Sequence, residues 1–276
     1  MRRIRVMGLL LVAALALAAF GASSASALPE IGRCVAKTGG KYKNSNCTEK
    51  VTSGGTFEFV KGANKKPGFT ATSGEAVLEG ASGTKIVCKA STAVGKYDED
   101  GTTFAIKGVE SVVATFTTCE DPGIGKICHS SGQAEGTIVT EVLEGELRYL
   151  TKTTKPPVVV QELHPTSKKA FAIFECGLPA QGGIKVTVEE NKSGAPGSKE
   201  GGNCILSTLS EVNVMAKTVK DIYKGKAGVQ EPQKYEGQAK ICNLETEFAA
   251  FPAPFERSTQ TETAEVVSEE TVEIKA

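Results

Sequence analysis

The chain of 276 residues has no tryptophan, five tyrosines, three methionines and two histidines. Sugar-binding clefts and protein hot spots draw on flat aromatic side chains, so this composition disfavours a carbohydrate-binding module. His129 and His164 stand in no Ser-His or Cys-His arrangement, and no Cys-x-x-Cys occurs. A zinc knuckle, a thioredoxin-like redox centre and a histidine-activated nucleophile are all disfavoured. Arginine is scarce as well: beyond Arg2, Arg3 and Arg5 the chain has only Arg33, Arg148 and Arg257, beside 26 lysines. Bidentate recognition of phosphate or carboxylate relies on arginine, so polyanion binding and phosphoryl transfer are unlikely uses.

Long apolar runs are absent except at the amino terminus. There the basic segment Met1-Arg2-Arg3-Ile4-Arg5-Val6 precedes an apolar run from Leu9 to Phe20 and the small residues Gly21 to Ala27. The run is shorter than the ~20 residues of a membrane span. Ala25-Ser26-Ala27 offers the small side chains that signal peptidase requires, which predicts a signal peptide over 1–27. Arg5 stands where a twin-arginine signal carries an apolar residue, so the general secretory route is expected. No cysteine near the cleavage point can take a lipid, and residues 271–276 carry no sorting motif. The expectation is a secreted or envelope-associated chain of residues 28–276 with no membrane span. Cleavage removes three of the 32 basic residues, leaving 29 against 32 acidic ones, a net charge of −3. Such a surface has no field for nucleic acid or anionic lipid.

What is abundant points to strands. Glutamate outnumbers aspartate 28 to 4, a usage that suits strand surfaces better than calcium cages. Apolar residues alternate with polar ones at Phe57/Phe59, Phe104/Ile106, Ile184/Val186/Val188, Val212/Val214/Ala216 and Val272/Ile274. Period two buries one face of an antiparallel strand and wets the other. Turn formers punctuate the chain at Ser53-Gly54-Gly55, Ser82-Gly83, Asp100-Gly101, Asp121-Pro122-Gly123, Pro156-Pro157 and Gly182-Gly183. This spacing predicts an all-β fold, a sandwich or barrel of many short antiparallel strands stapled by disulfides. Ile241, Leu244, Phe248 and Phe251 fit a helical stripe, but Cys242, Leu244, Thr246 and Phe248 fit a strand, and the surroundings favour the strand. Residues 191–202, rich in Gly, Ser and Pro, read as a flexible loop within one domain.

Candidate motifs resolve into simpler readings. Tyr97-Asp98-Glu99-Asp100-Gly101-Thr102 begins like a calcium loop, but Thr103 and Val109 occupy the positions that require glycine and glutamate; a hairpin turn accounts for it. Gly123-Ile124-Gly125-Lys126 lacks the upstream glycine of a phosphate loop, and Ile127 replaces its hydroxyl residue, so it reads as a hairpin tip. Cys128-His129 cannot share a metal on a strand, where neighbours point to opposite faces. Asn191-Lys192-Ser193 is a formal glycosylation sequon of little weight behind this kind of signal. No catalytic residue, cofactor site or metal site is assigned.

Pro29-Glu30-Ile31-Gly32-Arg33-Cys34, Asn44-Ser45-Asn46-Cys47-Thr48, Gly83-Thr84-Lys85-Ile86-Val87-Cys88, Phe116-Thr117-Thr118-Cys119-Glu120, Leu143-Glu144-Gly145-Glu146-Leu147 and Phe174-Glu175-Cys176-Gly177 resemble a group of secreted actinobacterial proteins with many paralogues. The resemblance implies export and disulfides and brings no catalytic residue or ligand with it. It also makes Cys204 and Cys242 additions to a six-cysteine pattern, which implies a bridge of their own. All eight cysteines follow the predicted cleavage point, and an even number in an oxidising compartment implies four disulfides among 105 possible arrangements. Turn-rich spacing favours Cys34–Cys47 and Cys119–Cys128 as local pairs, which leaves Cys88–Cys176 beside Cys204–Cys242.

The leading functional expectation is a non-catalytic extracellular or envelope protein that binds an unidentified partner. The alternatives are a polysaccharide hydrolase using paired glutamates and a small-ligand carrier with an open barrel interior. They separate on geometry: a hydrolase requires a groove with two converging carboxylates, and a carrier requires an enclosed apolar cavity. Amino-terminal sequencing of secreted protein is expected to begin at Leu28; material retaining Met1 refutes the signal peptide.

Overall fold

The computed structural model describes residues 28–62, 68–97, 108–167, 170–178, 181–190, 201–202, 204–238, 241–249 and 254–276. The signal segment 1–27, the Phe104/Ile106 alternation, the Asp100-Gly101 turn with most of the calcium-like stretch, and residues 191–200 of the predicted loop lie outside them. Among the described residues there are nineteen strands and no α-helix. They are β1 (Glu30–Tyr42), β2 (Lys50–Lys61), β3 (Gly68–Ser73), β4 (Ala76–Gly80), β5 (Lys85–Tyr97), β6 (Gly108–Asp121) and β7 (Lys126–His129). The middle of the chain supplies β8 (Ile138–Val139), β9 (Leu143–Thr151), β10 (Val158–Pro165), β11 (Ala170–Cys176), β12 (Ile184–Glu190) and β13 (Gly201–Gly202). The remainder are β14 (Ile205–Leu209), β15 (Met215–Lys226), β16 (Val229–Glu231), β17 (Ile241–Cys242), β18 (Leu244–Ala249) and β19 (Glu256–Lys275). The ambiguous stretch around Leu244 is strand.

Following the hydrogen-bonded neighbours decides between sandwich and barrel, because the path closes on itself twice. One ring runs β3–β5–β6–β9–β10–β14–β15–β19 and back to β3. The second runs β4–β5–β6–β7–β11–β12–β18–β19 and back to β4. Every pairing in both rings is antiparallel. The strands β5, β6 and β19, of 13, 14 and 20 residues, pass through both rings and hold them end to end. The two rings part where β3 gives way to β4 at Gly74-Glu75. Closure leaves neither ring an open edge for another chain to extend.

The alternation read from the sequence becomes inside and outside. Val186 and Val188 of β12 are buried, as are Val272 and Ile274 of β19. Two readings need correction. Ser53-Gly54-Gly55 is not a hairpin turn: it lies inside β2, where register shifts against β1 around Gly40 and Gly55 form bulges. Gly39 and Gly54 supply the φ of +73° and +72° there, and an added Cβ at Gly55 would lie 2.1 Å from the Gly40 carbonyl oxygen. Glycine in a strand can mark a bulge as readily as a turn. Val212 and Val214 also precede a strand rather than forming one. Glu211 and Asn213 take φ of 61° and 60°, Val214 is exposed, and β15 starts at Met215.

All eight cysteines are bridged, but two of the four expected pairs are wrong. Cys34–Cys47 and Cys204–Cys242 form as expected; the other two bridges are Cys88–Cys119 and Cys128–Cys176, not Cys119–Cys128 and Cys88–Cys176. The ladders explain the error. Cys88 is directly opposite Cys119 between β5 and β6, and Cys128 directly opposite Cys176 between β7 and β11. The β6–β7 ladder ends at Glu120 and Ile127, one step from Cys119 and Cys128. The four cysteines thus form one row around the second ring, and the local pair fails although the hairpin it was read from exists.

A layer outside the first ring completes the packing. Val160 and Leu206 point away from the barrel interior, and the Cys204–Cys242 bridge with Tyr235 covers them. Above it, Gln230 and Asn243 are buried and fully engaged. Gln230 Nε2 donates to the Lys224 and Gln260 carbonyls at 2.8 and 3.2 Å, and its Oε1 accepts from Thr259 Oγ1 and the Gln260 amide. Asn243 Oδ1 accepts from the Gln230 amide at 3.0 Å. At the other end, Lys275 Nζ sits over the rings of Tyr42 and Phe59, 4.7 and 5.3 Å from their centres, and donates to the Cys47 carbonyl. It also faces the fully buried Glu273 carboxylate at 3.7 Å.

The three long-range bridges enclose 31, 48 and 38 residues. Restricting loops of that size in the unfolded chain is worth about 4 kcal/mol per bridge in the chain-entropy account. Non-reducing peptide mapping is expected to link Cys88 to Cys119 and Cys128 to Cys176. The double variant Cys204→Ser/Cys242→Ser is expected to lose stability of that order in denaturant titration.

Candidate functional site

The interiors of the two rings merge into a cavity of about 170 Å³. Its walls are apolar for most of their extent, with Phe69, Leu78, Ile86, Leu147, Phe174 and Ile205 among them. A cavity is expected where small residues face large ones across a barrel, and Ala71, Ala93, Ala114 and Ala264 are such small residues here. The disulfide row closes the core of the second ring, with Cys88 reaching the cavity wall.

A belt of polar groups enters this interior at the level where the rings part. The registers set it out: Gln161 is opposite Ser207 and Tyr223 opposite Glu262. The Ser91 hydroxyl donates to Glu262 Oε2 at 2.8 Å. Two residues along β15 from Tyr223, opposite Ala264, Asp221 shares the same inward face. On β5 and β6 the inward phase switches at this level, from Cys88 to Ser91 and from Cys119 to Phe116, next to Thr118 with φ of 54°. The β5–β6 register is unchanged across the switch, so both strands turn their faces together and re-aim their side chains here.

The electrostatics of the belt are one-sided. Asp221 is buried, and burial raises its carboxyl to about 7; the nearby Glu262 charge adds to the rise, while the hydroxyls of Ser207 and Tyr223 oppose it. Those hydroxyls give only weak support, for Asp221 Oδ1 and Ser207 Oγ are both buried without a hydrogen bond of ordinary geometry. Burial also raises Glu262, against hydrogen bonding from Ser91 and Gln260, and holds the Tyr223 phenol well above its ordinary value. Among the described residues lining the cavity there is no lysine, arginine or histidine.

The cysteines singled out in the sequence all serve as structural bridges. The bridge sulfurs of Cys204 and Cys242 lie with a Glu162 oxygen in a group within 4.8 Å. A disulfide offers no thiolate, so this is no thiolate metal centre. Glu162 instead accepts from Arg148 Nε at 3.2 Å, and the Arg148 guanidinium lies 5.2 Å from the centre of the Tyr235 ring. Cys128 is likewise bridged, and Gly123 to Lys126 form the expected hairpin tip, with Asp121 Oδ1 accepting from the Gly123 amide at 2.8 Å.

Asp221, Tyr223 and Glu262 were not found from the sequence. The signal was there: in Val219-Lys220-Asp221-Ile222-Tyr223, period two puts one of only four aspartates in phase with Val219 and Tyr223. An acid in step with an apolar face is a buried acid.

The raised acids reverse the usual pH dependence of stability. An acid whose folded pKa exceeds its unfolded value favours folding fully at low pH, and that contribution is lost as pH rises through the folded pKa. For Asp221 the window runs from about pH 4 to about 7, and Glu273, raised to about 6 by burial, acts in the same direction. Asp221→Asn is expected to equal the parent near pH 4 and to exceed it by up to ~4 kcal/mol at pH 8 in denaturant titrations. A constant difference across that range refutes the assignment. Comparison of the chain with family models, curated proteins and solved structures found no match.

Proposed function

We propose that this is a secreted, non-catalytic binding protein that holds a small, largely apolar molecule inside its closed double ring. One observation carries the reading: a barrel interior that is not filled by its own side chains and keeps about 170 Å³ of largely apolar space around a polar belt. Packed cores rarely keep such space, because each void forfeits dispersion contacts with the atoms around it. An apolar cavity of about 150 Å³ admits a benzene-sized molecule, which sets the scale of the ligand.

Four disulfides support an oxidising, extracellular setting, and two of them, Cys88–Cys119 and Cys128–Cys176, cross-link the barrel wall before any ligand arrives. Among the described residues no helix is long and apolar enough to cross a membrane. The hydrolase reading has less support: Asp221 and Glu262 do converge, but inside a barrel whose free space accommodates no glycan chain.

Isothermal titration of the mature, oxidised protein with benzene and toluene tests the reading. Saturable binding is expected, one molecule per chain, with a thermal unfolding midpoint that rises with ligand. Ala93→Leu, which adds volume to the cavity wall, is expected to weaken binding at least tenfold while leaving the fold intact. Binding unaffected by Ala93→Leu places the ligand elsewhere.

A further inference from the structure

The polar belt says what kind of head group the ligand carries. We infer that the cavity selects a small apolar amine, its ring or alkyl body against the alkyl and aromatic walls and its ammonium group on Asp221. This rests on the interior-binding reading above.

Three observations lead to it. The first is the under-satisfied acceptor: Asp221, 7% exposed, lines the cavity, and its Oδ1 has no hydrogen bond of ordinary geometry. Buried carboxylate oxygens are ordinarily satisfied, and one without a partner on a residue of the cavity wall is a place for a donor from outside the chain. The second is composition. Asp221, Glu262 and the Tyr223 hydroxyl share the inward face, and no described lining residue supplies a cation. In a low-dielectric interior two neighbouring acids oppose each other's ionisation, and a bound cation removes that opposition. A ligand carboxylate would be a third negative group in the same place.

The third is the arrangement of the acids relative to the walls. Glu262 is held by Ser91 on one oxygen and approached by Gln260 Nε2 at 3.4 Å on the other. Its position is therefore fixed, while Asp221 Oδ1 has no such bond. Tyr223, opposite Glu262 and two residues from Asp221, adds an aromatic ring to the cavity lining, and such rings attract an ammonium group as well as apolar surface. A primary amine has three donors, matching Asp221 Oδ1 with acceptors to spare on the belt.

The test compares four one-ring probes of similar size at pH 8, where the amine remains a cation: benzylamine, benzyl alcohol, toluene and benzoate. Each is titrated into the oxidised parent and into Asp221→Asn and Tyr223→Phe. Benzylamine is expected to bind at least tenfold more tightly than benzyl alcohol or toluene, with benzoate weakest. Asp221→Asn is expected to erase the preference for the amine while keeping the affinity for toluene, which shows that the cavity is still formed. Tyr223→Phe, which keeps the ring, is expected to retain a preference for the amine. If toluene and benzyl alcohol bind as well as benzylamine, or benzoate binds best, the amine inference is overturned and interior binding stands. If none of the four binds, interior binding fails and the amine inference fails with it. A preference for the amine that survives in Asp221→Asn also overturns the assignment, since the cation then rests on another group.

Discussion

Each edge of a β-strand carries a row of amide and carbonyl groups that must be paired, and in this chain β19 meets that demand on both edges along nearly its whole length. It pairs with β18 and β15 on one side and with β4, β3 and β1 on the other. A strand of 20 residues is too long to belong to a single small ring, so two rings share it, and β5 and β6 accompany it through both. From that sharing follow the break between β3 and β4, the phase switch beside Thr118, and the polar belt at the same level. The site is placed by the way the sheet closes, not by a loop.

The interior shows opposing terms at close range. Apolar walls favour burial, while Asp221 and Glu262 pay desolvation that their hydroxyl neighbours only partly offset. Elsewhere two buried amides of the same chain are thoroughly satisfied. Gln230 and Asn243 engage every side-chain donor and acceptor they have with backbone or hydroxyl partners. Lys275 answers Glu273 from two residues away and rests on two aromatic rings. Asp221 is not alone in having a carboxylate oxygen without a hydrogen bond, since Glu273 has two, but Asp221 lines the cavity, and exceptions to local consistency concentrate where a protein does its work.

The disulfides show how far linear spacing reaches. Cys34–Cys47 was legible because a short turn-rich segment separates the two residues, and Cys204–Cys242 because both stand apart from the other six. Cys119–Cys128 satisfied the same spacing logic and still failed. Around the second ring Cys88, Cys119, Cys128 and Cys176 form one row, and in that row Cys119 has a directly opposed partner on β5 as well as a near neighbour across its own hairpin. Which neighbour it takes depends on the β5–β6 register, which is a property of the sheet.

Alternation in segments such as Ile184-Lys185-Val186-Thr187-Val188 determined the strands and their buried face, because a side-chain period of two follows from the extended backbone alone. Composition gave the even cysteine count, and the structure bridges all eight. Tertiary structure alone decided that Ser53-Gly54-Gly55 is a bulge, that the sheet closes twice, and that Asp221 and Glu262, 41 positions apart, share one interior. A strand's own sequence specifies which residues share a face, but the partner and the register come from long-range pairing, and only that pairing turns a face into the wall of a cavity.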